Sequence, residues 1–181
     1  MRKFTLAIFI VCLALAVMGC ASTSGIPNDI ERARRNAPED VLVGIGTAKL
    51  GTVAQSRNLA ATRARAELST AMNSIVSNMV RDYTASSEVD PEAAVAFQEN
   101  ITVTLSRSEV SGAQIIAENE DKDGNWWCVM YLSKAALVRE INQAQAAARL
   151  VVPAMASFNA EERMNEAFDK LKADQESGGW W

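Results

Sequence analysis

Apolar residues recur along the chain with two different periods. Between positions 61 and 83 they stand at Ala61, Ala64, Leu68, Met72, Ile75, Met79 and Tyr83. Steps of three and four draw a single stripe along a long helix. Thr52-Val53-Ala54-Gln55, just ahead of it, has the form of a capping box. The threonine oxygen accepts an orphan amide of the first turn while the glutamine reaches back. Upstream, Val41-Leu42-Val43-Gly44-Ile45-Gly46 is a short β-branched run ending in glycines, which predicts a buried strand. Downstream, Asp90-Pro91-Glu92 marks a helix start, with aspartate as cap, proline in the first turn and an acid at the positive end of the dipole. Phe97, Ile101 and Leu105 continue that helix, although Ile101, Val103 and Leu105 also alternate as a strand would. The cap decides for the helix.

Two β-rich runs follow, Val110 to Asn119 and Asn125 to Ser133, separated by Asp121-Lys122-Asp123-Gly124. Asp-Gly between such runs predicts a hairpin, because both residues tolerate positive φ. The second run puts Trp126, Cys128, Met130 and Leu132 on one face and Trp127, Val129 and Tyr131 on the other. With both faces apolar, it reads as a central strand. Ser133 caps a further helix through Leu137 and Ile141 into an alanine-rich stretch, interrupted by Pro153. Asn159 and Glu162 begin another, striped by Met164, Phe168 and Leu171. The expected fold class is α+β: a small, mostly antiparallel three-stranded sheet packed with helices in the order β-α-α-β-β-α, plus a C-terminal helical extension. The domain spans 39–142 and the extension 143–181.

The N-terminus follows a different pattern. Met1-Arg2-Lys3 is a short positive region, and Phe4 to Val17 is an apolar run broken only by Thr5. That run is shorter than the roughly 20 residues of a membrane span and fits the hydrophobic region of a signal peptide. It leads into Val17-Met18-Gly19-Cys20, which resembles the lipobox of bacterial lipoproteins, with valine in place of the more usual leucine. The resemblance implies a signal peptide over 1–19, cleavage after Gly19 and acylation of Cys20. Ala21 stands where lipoproteins kept at the inner membrane carry aspartate, which favours the outer membrane. Residues 20–38 are polar and read as a tether, with an arginine-rich cluster at Glu31-Arg32-Ala33-Arg34-Arg35.

Composition narrows the chemistry. The 181 residues carry 18 Lys+Arg against 22 Asp+Glu, a net charge of −4 that argues against a nucleic-acid partner. There is no histidine, which removes serine–histidine triads, histidine metal sites and histidine bases. Once Cys12 leaves with the signal and Cys20 is acylated, Cys128 is the last free thiol. It is either a reactive or intermolecular thiol or, as free cysteine usually is, a small hydrophobe in a strand. Neither an intramolecular disulfide nor a zinc cage can be built from it. No metal or cofactor is expected.

Other motifs are weak. Gly44-Ile45-Gly46 lies between strand and helix, but Lys49 occupies the place of the third glycine of a dinucleotide fingerprint. Close helix–strand packing is the simpler role. Asp121, Asp123 and Asn125 alternate like calcium ligands, yet the glycine comes early and no closing glutamate follows. Glu118 and Glu120 share one side of a strand, as acid–base pairs do and as solvated strand edges do more often. Arg57, Arg63, Arg65 and Glu67 on the long helix form a recognition surface or an intrahelical ion network. Trp126, Trp127, Trp180 and Trp181 are the candidate interface residues, since large aromatics anchor interfaces.

Taken together, the lipobox, the strand 41–46, Asn58 to Leu68, Gly112 to Ile116 and the acidic turn into Trp127-Cys128-Val129-Met130-Tyr131-Leu132 resemble the LPP20-type bacterial lipoprotein family. The likeness covers about 39–142, so the helical tail and its Trp-Trp end lie outside it. It implies membrane anchoring through Cys20, a sheet flanked by helices and no enzymatic site. The expected function is a non-enzymatic structural or interaction module of the envelope, with envelope proteins or its own copies as partners. The alternative is a periplasmic binding module for a small ligand or cell-wall fragment.

Overall fold

The structure is a computed structural model that describes residues 25–107 and 110–176. Cys20, Trp180 and Trp181 lie outside them. The described elements run α1 (Asn28–Arg35), β1 (Val41–Ala48), α2 (Val53–Ser86), α3 (Pro91–Arg107), β2 (Gln114–Glu120), β3 (Trp126–Ser133), α4 (Lys134–Val151), a 3-10 turn at Pro153–Met155 and α5 (Ala160–Glu176). The sheet is antiparallel with order β1-β3-β2. The fold is therefore α+β, and β3 is its central strand, as its two apolar faces predict.

The long stripe is the inner face of α2: Ala61, Ala64, Leu68, Met72, Ile75, Met79 and Tyr83 are all buried. Its 34 residues extend about 50 Å, well beyond the sheet. Thr52 Oγ1 accepts from Gln55 N at 3.3 Å. Ser56, rather than Gln55, completes the start: its hydroxyl accepts from Leu50 N at 2.8 Å and donates to the Thr52 carbonyl. In α3, Phe97, Ile101 and Leu105 are buried while Val103 is exposed, so the helical period governs that segment.

One sheet face carries Leu42, Gly44, Gly46 and Ala48 in register with Leu132, Met130, Cys128 and Trp126, and α2 lies on it. A Cβ on Gly44 would fall 2.4 Å from the Ala64 carbonyl oxygen, and one on Gly46 would fall 2.0 Å from that of Ala60. The two glycines thus bring backbone against backbone. On the opposite face, α1 lies over β2 and β3, within the stretch 20–38 expected to be a tether. Ile30 is fully buried there, and the Tyr131 hydroxyl donates to the Ala33 carbonyl. A single apolar residue among charges gives too little pattern to betray a two-turn helix.

The β2 strand starts at Gln114 rather than Val110 because the chain first turns: Val110 has φ +51° and Gly112 φ +92°, and Ala113 N donates to the Val110 carbonyl at 3.2 Å. Ser133 caps α4 by accepting from Ala136 N at 3.2 Å. Position 142, where the sequence divides domain from extension, lies inside α4, which runs unbroken to Val151. The buried Gln145 side chain accepts from Ala160 N at 2.8 Å and so holds the start of α5. Met164, Phe168 and Leu171 of α5 join the same core as Leu68 and Met72.

Candidate functional site

The chemistry-bearing residues gather where the β2–β3 hairpin meets the first turn of α2. Asp121 organises the turn. Its carboxylate accepts from Asp123 N (2.9 Å), Asn125 N (2.8 Å), Asn125 Nδ2 (2.8 Å) and the Trp127 indole (2.9 Å). Desolvation works to raise its pKa, but these four donors outweigh it and hold the carboxyl down at about 2. Positive φ is needed only at Gly124, +80°. Asp121 and Asn125 are thus committed to the turn itself, which accounts for the calcium-like spacing.

Trp126 and Trp127 alternate along β3, so they do not share a surface. Trp127 is tied to Asp121, while Trp126 packs against the core on the α2 side. The indole N–H of Trp126 is buried without a hydrogen-bond partner. Beside it lies a cleft of about 240 Å³ between Lys49–Val53, Glu120 and Gly124. Lys49 Nζ donates to the Asp123 carbonyl at 2.5 Å. A second cleft of about 430 Å³, on the other side of the hairpin, is bounded by Gly25–Asn28 and Glu120–Asp123.

Three charged residues of α2, Arg57, Arg63 and Glu67, reach the sheet rather than one another. Arg57 makes two bonds to the Glu118 carboxylate, at 3.1 and 2.5 Å, so Glu118 is paired instead of poised for acid–base work. Arg63 Nη1 donates to the Thr47 carbonyl at 2.5 Å, and the Glu67 carboxylate accepts from Ile45 N. Thr47 and Ile45 sit on the outer edge of β1. Sheet edges present unpaired backbone groups that invite other strands, and these two side chains close this one. Burial raises the Glu67 pKa above the ordinary carboxylate range, against the Ile45 N–H and the Arg34 charge. An i, i+4 spacing of Arg63 and Glu67 gave no sign of this job, because edge-capping depends on where the helix lies over the strand.

Cys128 is fully buried. Burial first, and the Glu118 charge second, push its thiol up to about 11. It behaves as a small core hydrophobe, since a thiol at that value holds almost no thiolate near neutrality. Among the described residues, no group of three or more Cys, Asp or Glu is placed to hold a metal ion, and no helix is long and apolar enough to cross a membrane. Comparison with family models, curated proteins and solved structures finds no match for the chain.

Proposed function

We propose that this chain is a lipid-anchored, non-enzymatic interaction module of the bacterial envelope, of the LPP20 type, held at the outer membrane through Cys20. The observation that carries the reading is the apolar run ending in Val17-Met18-Gly19-Cys20. Acyl chains on Cys20 contribute about 0.8 kcal/mol per buried CH₂, enough with two or three chains for stable attachment. Support for a non-enzymatic role comes from what the polar groups are engaged in. Glu118 is paired with Arg57, the Asp121 carboxylate is bound by its own turn, and Cys128 is held as a thiol. The partners are envelope proteins or further copies of the chain.

The test is metabolic acyl labelling together with cross-linking in intact cells. Wild type should take the label and co-purify with a stoichiometric set of envelope proteins or with itself; Cys20→Ala should lose the label. Persistent labelling of Cys20→Ala sinks the lipobox assignment. A second reading, a binding module for a small ligand or cell-wall fragment, draws on the 240 Å³ cleft and the unpartnered Trp126 indole. Quenching or blue shift of tryptophan emission by soluble muropeptides, absent in Trp126→Phe, would favour it.

A further inference from the structure

Two pairs of apolar side chains stand exposed at opposite ends of the molecule. Leu50 and Val53, 48% and 55% exposed, flank the start of α2 beside the hairpin. Leu150 and Val151, 86% and 65% exposed, end α4. The neighbouring Arg149 donates to the Phe158 carbonyl, and the Phe158 ring lies 5.4 Å from that of Tyr83. Tyr83 stands near the far end of α2 from Val53, about 45 Å away at 1.5 Å per residue.

The start of the described chain distinguishes these ends. A Cβ on Gly25 would lie 3.9 Å from Asp123 Oδ2, so the chain enters the fold at the hairpin. Lys49, from the segment carrying Leu50, bonds to the same Asp123. From Cys20 to Gly25 is five residues, a reach of at most about 18 Å. A lipid attached at Cys20 therefore keeps the hairpin end within that distance of the bilayer, whereas the Leu150 end comes to it only when the domain tips onto its side. We infer that the hairpin end of the sheet rests on the lipid surface with Leu50 and Val53 as its apolar contacts, and that the helical end points away. This inference rests on the anchoring proposed above. Glu120, Asp121 and Asp123 outnumber Lys49 and Lys122 at this end, so the contact is apolar burial and needs no anionic lipid.

The test uses the full acylated chain in phosphatidylcholine vesicles whose acyl chains carry nitroxide quenchers. Leu50→Cys and Leu150→Cys proteins are each labelled with an environment-sensitive fluorophore; the buried Cys128 does not compete for the label. Quenching should be several-fold stronger at position 50 than at 150, and Val53→Cys should likewise exceed Val151→Cys. Equal quenching at the two ends, or the reverse order, overturns the orientation. Flotation on a density gradient is read on the same samples. Protein that floats with an unquenched label at position 50 refutes the orientation alone. Protein that fails to float refutes the anchoring and this inference with it.

Discussion

From Val53 to Leu68, α2 meets the sheet through Ala60 and Ala64 set over Gly44 and Gly46. From Met72 to Tyr83 the same helix meets α3 and α5 through methionine, isoleucine and aromatic side chains. The first half brings two backbones together; the second fills a wider gap with side-chain volume. Interiors are close-packed in both cases, but they fail differently. Where side chains fill the gap, loss of volume is the damaging change. Where backbones touch, any gain in volume is.

The largest effect is expected in the filled half. Phe158 is fully buried, edge-on to Tyr83 at 5.4 Å and to Phe97 at 5.2 Å. Phe158→Ala should cost about 3–5 kcal/mol, read as a fall in the urea midpoint, and Phe158→Leu should recover much of it. In the close-packed half the opposite change matters. Gly46→Ala adds one methyl against the Ala60 carbonyl oxygen and should cost about 1–3 kcal/mol. Ala60→Gly should not rescue it, because the obstacle is backbone. Rescue would show that the helix is free to lift from the sheet, and the contrast between the halves would be lost.

The same contrast explains what was legible beforehand. The α2 stripe, the helical period of Phe97, Ile101 and Leu105, and the centrality of β3 all follow from burial of side chains, which periodicity records directly. Close packing at Gly44 and Gly46 was readable too, since two glycines on one face of a strand remove the side chains that would hold a helix off it. Contacts made by polar side chains to backbone at a distance were not. The bond from Ile45 to Glu67 spans 22 residues, and that of Tyr131 to Ala33 spans 98; neither leaves a local pattern. That is why the α1 helix and the closed edge of β1 came from the structure alone. The exposed pair Leu50 and Val53 escaped notice for a related reason. Whether apolar residues on either side of a helix cap face the core or solvent depends on how the helix lies on the sheet, which their spacing does not record.

The β1 edge supplies a third and smaller effect. Glu67→Ala leaves the Ile45 N–H without its acceptor, at a cost of about 1–3 kcal/mol, and reopens the edge to strand pairing. Glu67→Gln keeps an acceptor and should be nearly neutral at pH 7. The two differ in pH dependence from wild type as well. Because burial raises the Glu67 pKa in the folded state, the native protein binds this proton more readily than the unfolded chain. Stability therefore falls as pH rises from the ordinary carboxylate value through the raised one. Glu67→Gln should flatten that segment of the curve of midpoint against pH. An unchanged slope would show that the carboxylate is better solvated than its place on the edge implies.

Asp121 provides the opposite sign at the hairpin. Its folded-state pKa lies at about 2, below the ordinary 3.8, because the turn's donors bind the carboxylate. The unfolded chain takes up this proton first, so Asp121 contributes stability that is complete above 3.8 and lost as pH falls toward 2. Asp121→Asn keeps one acceptor oxygen, removes the titration and should blunt the acid limb below that of Glu67, while leaving the slope above it untouched. The effect on the midpoint is the smallest of the series, since this is a surface turn where solvent screens the charge. Hydrogen–deuterium exchange separates it from a global loss: the amides of Asp123 and Asn125, which donate to this carboxylate, should exchange faster in Asp121→Asn while those of α2 stay protected. Equal protection at the turn in mutant and wild type would mean that Gly124 and the strand pairing hold the hairpin without its carboxylate.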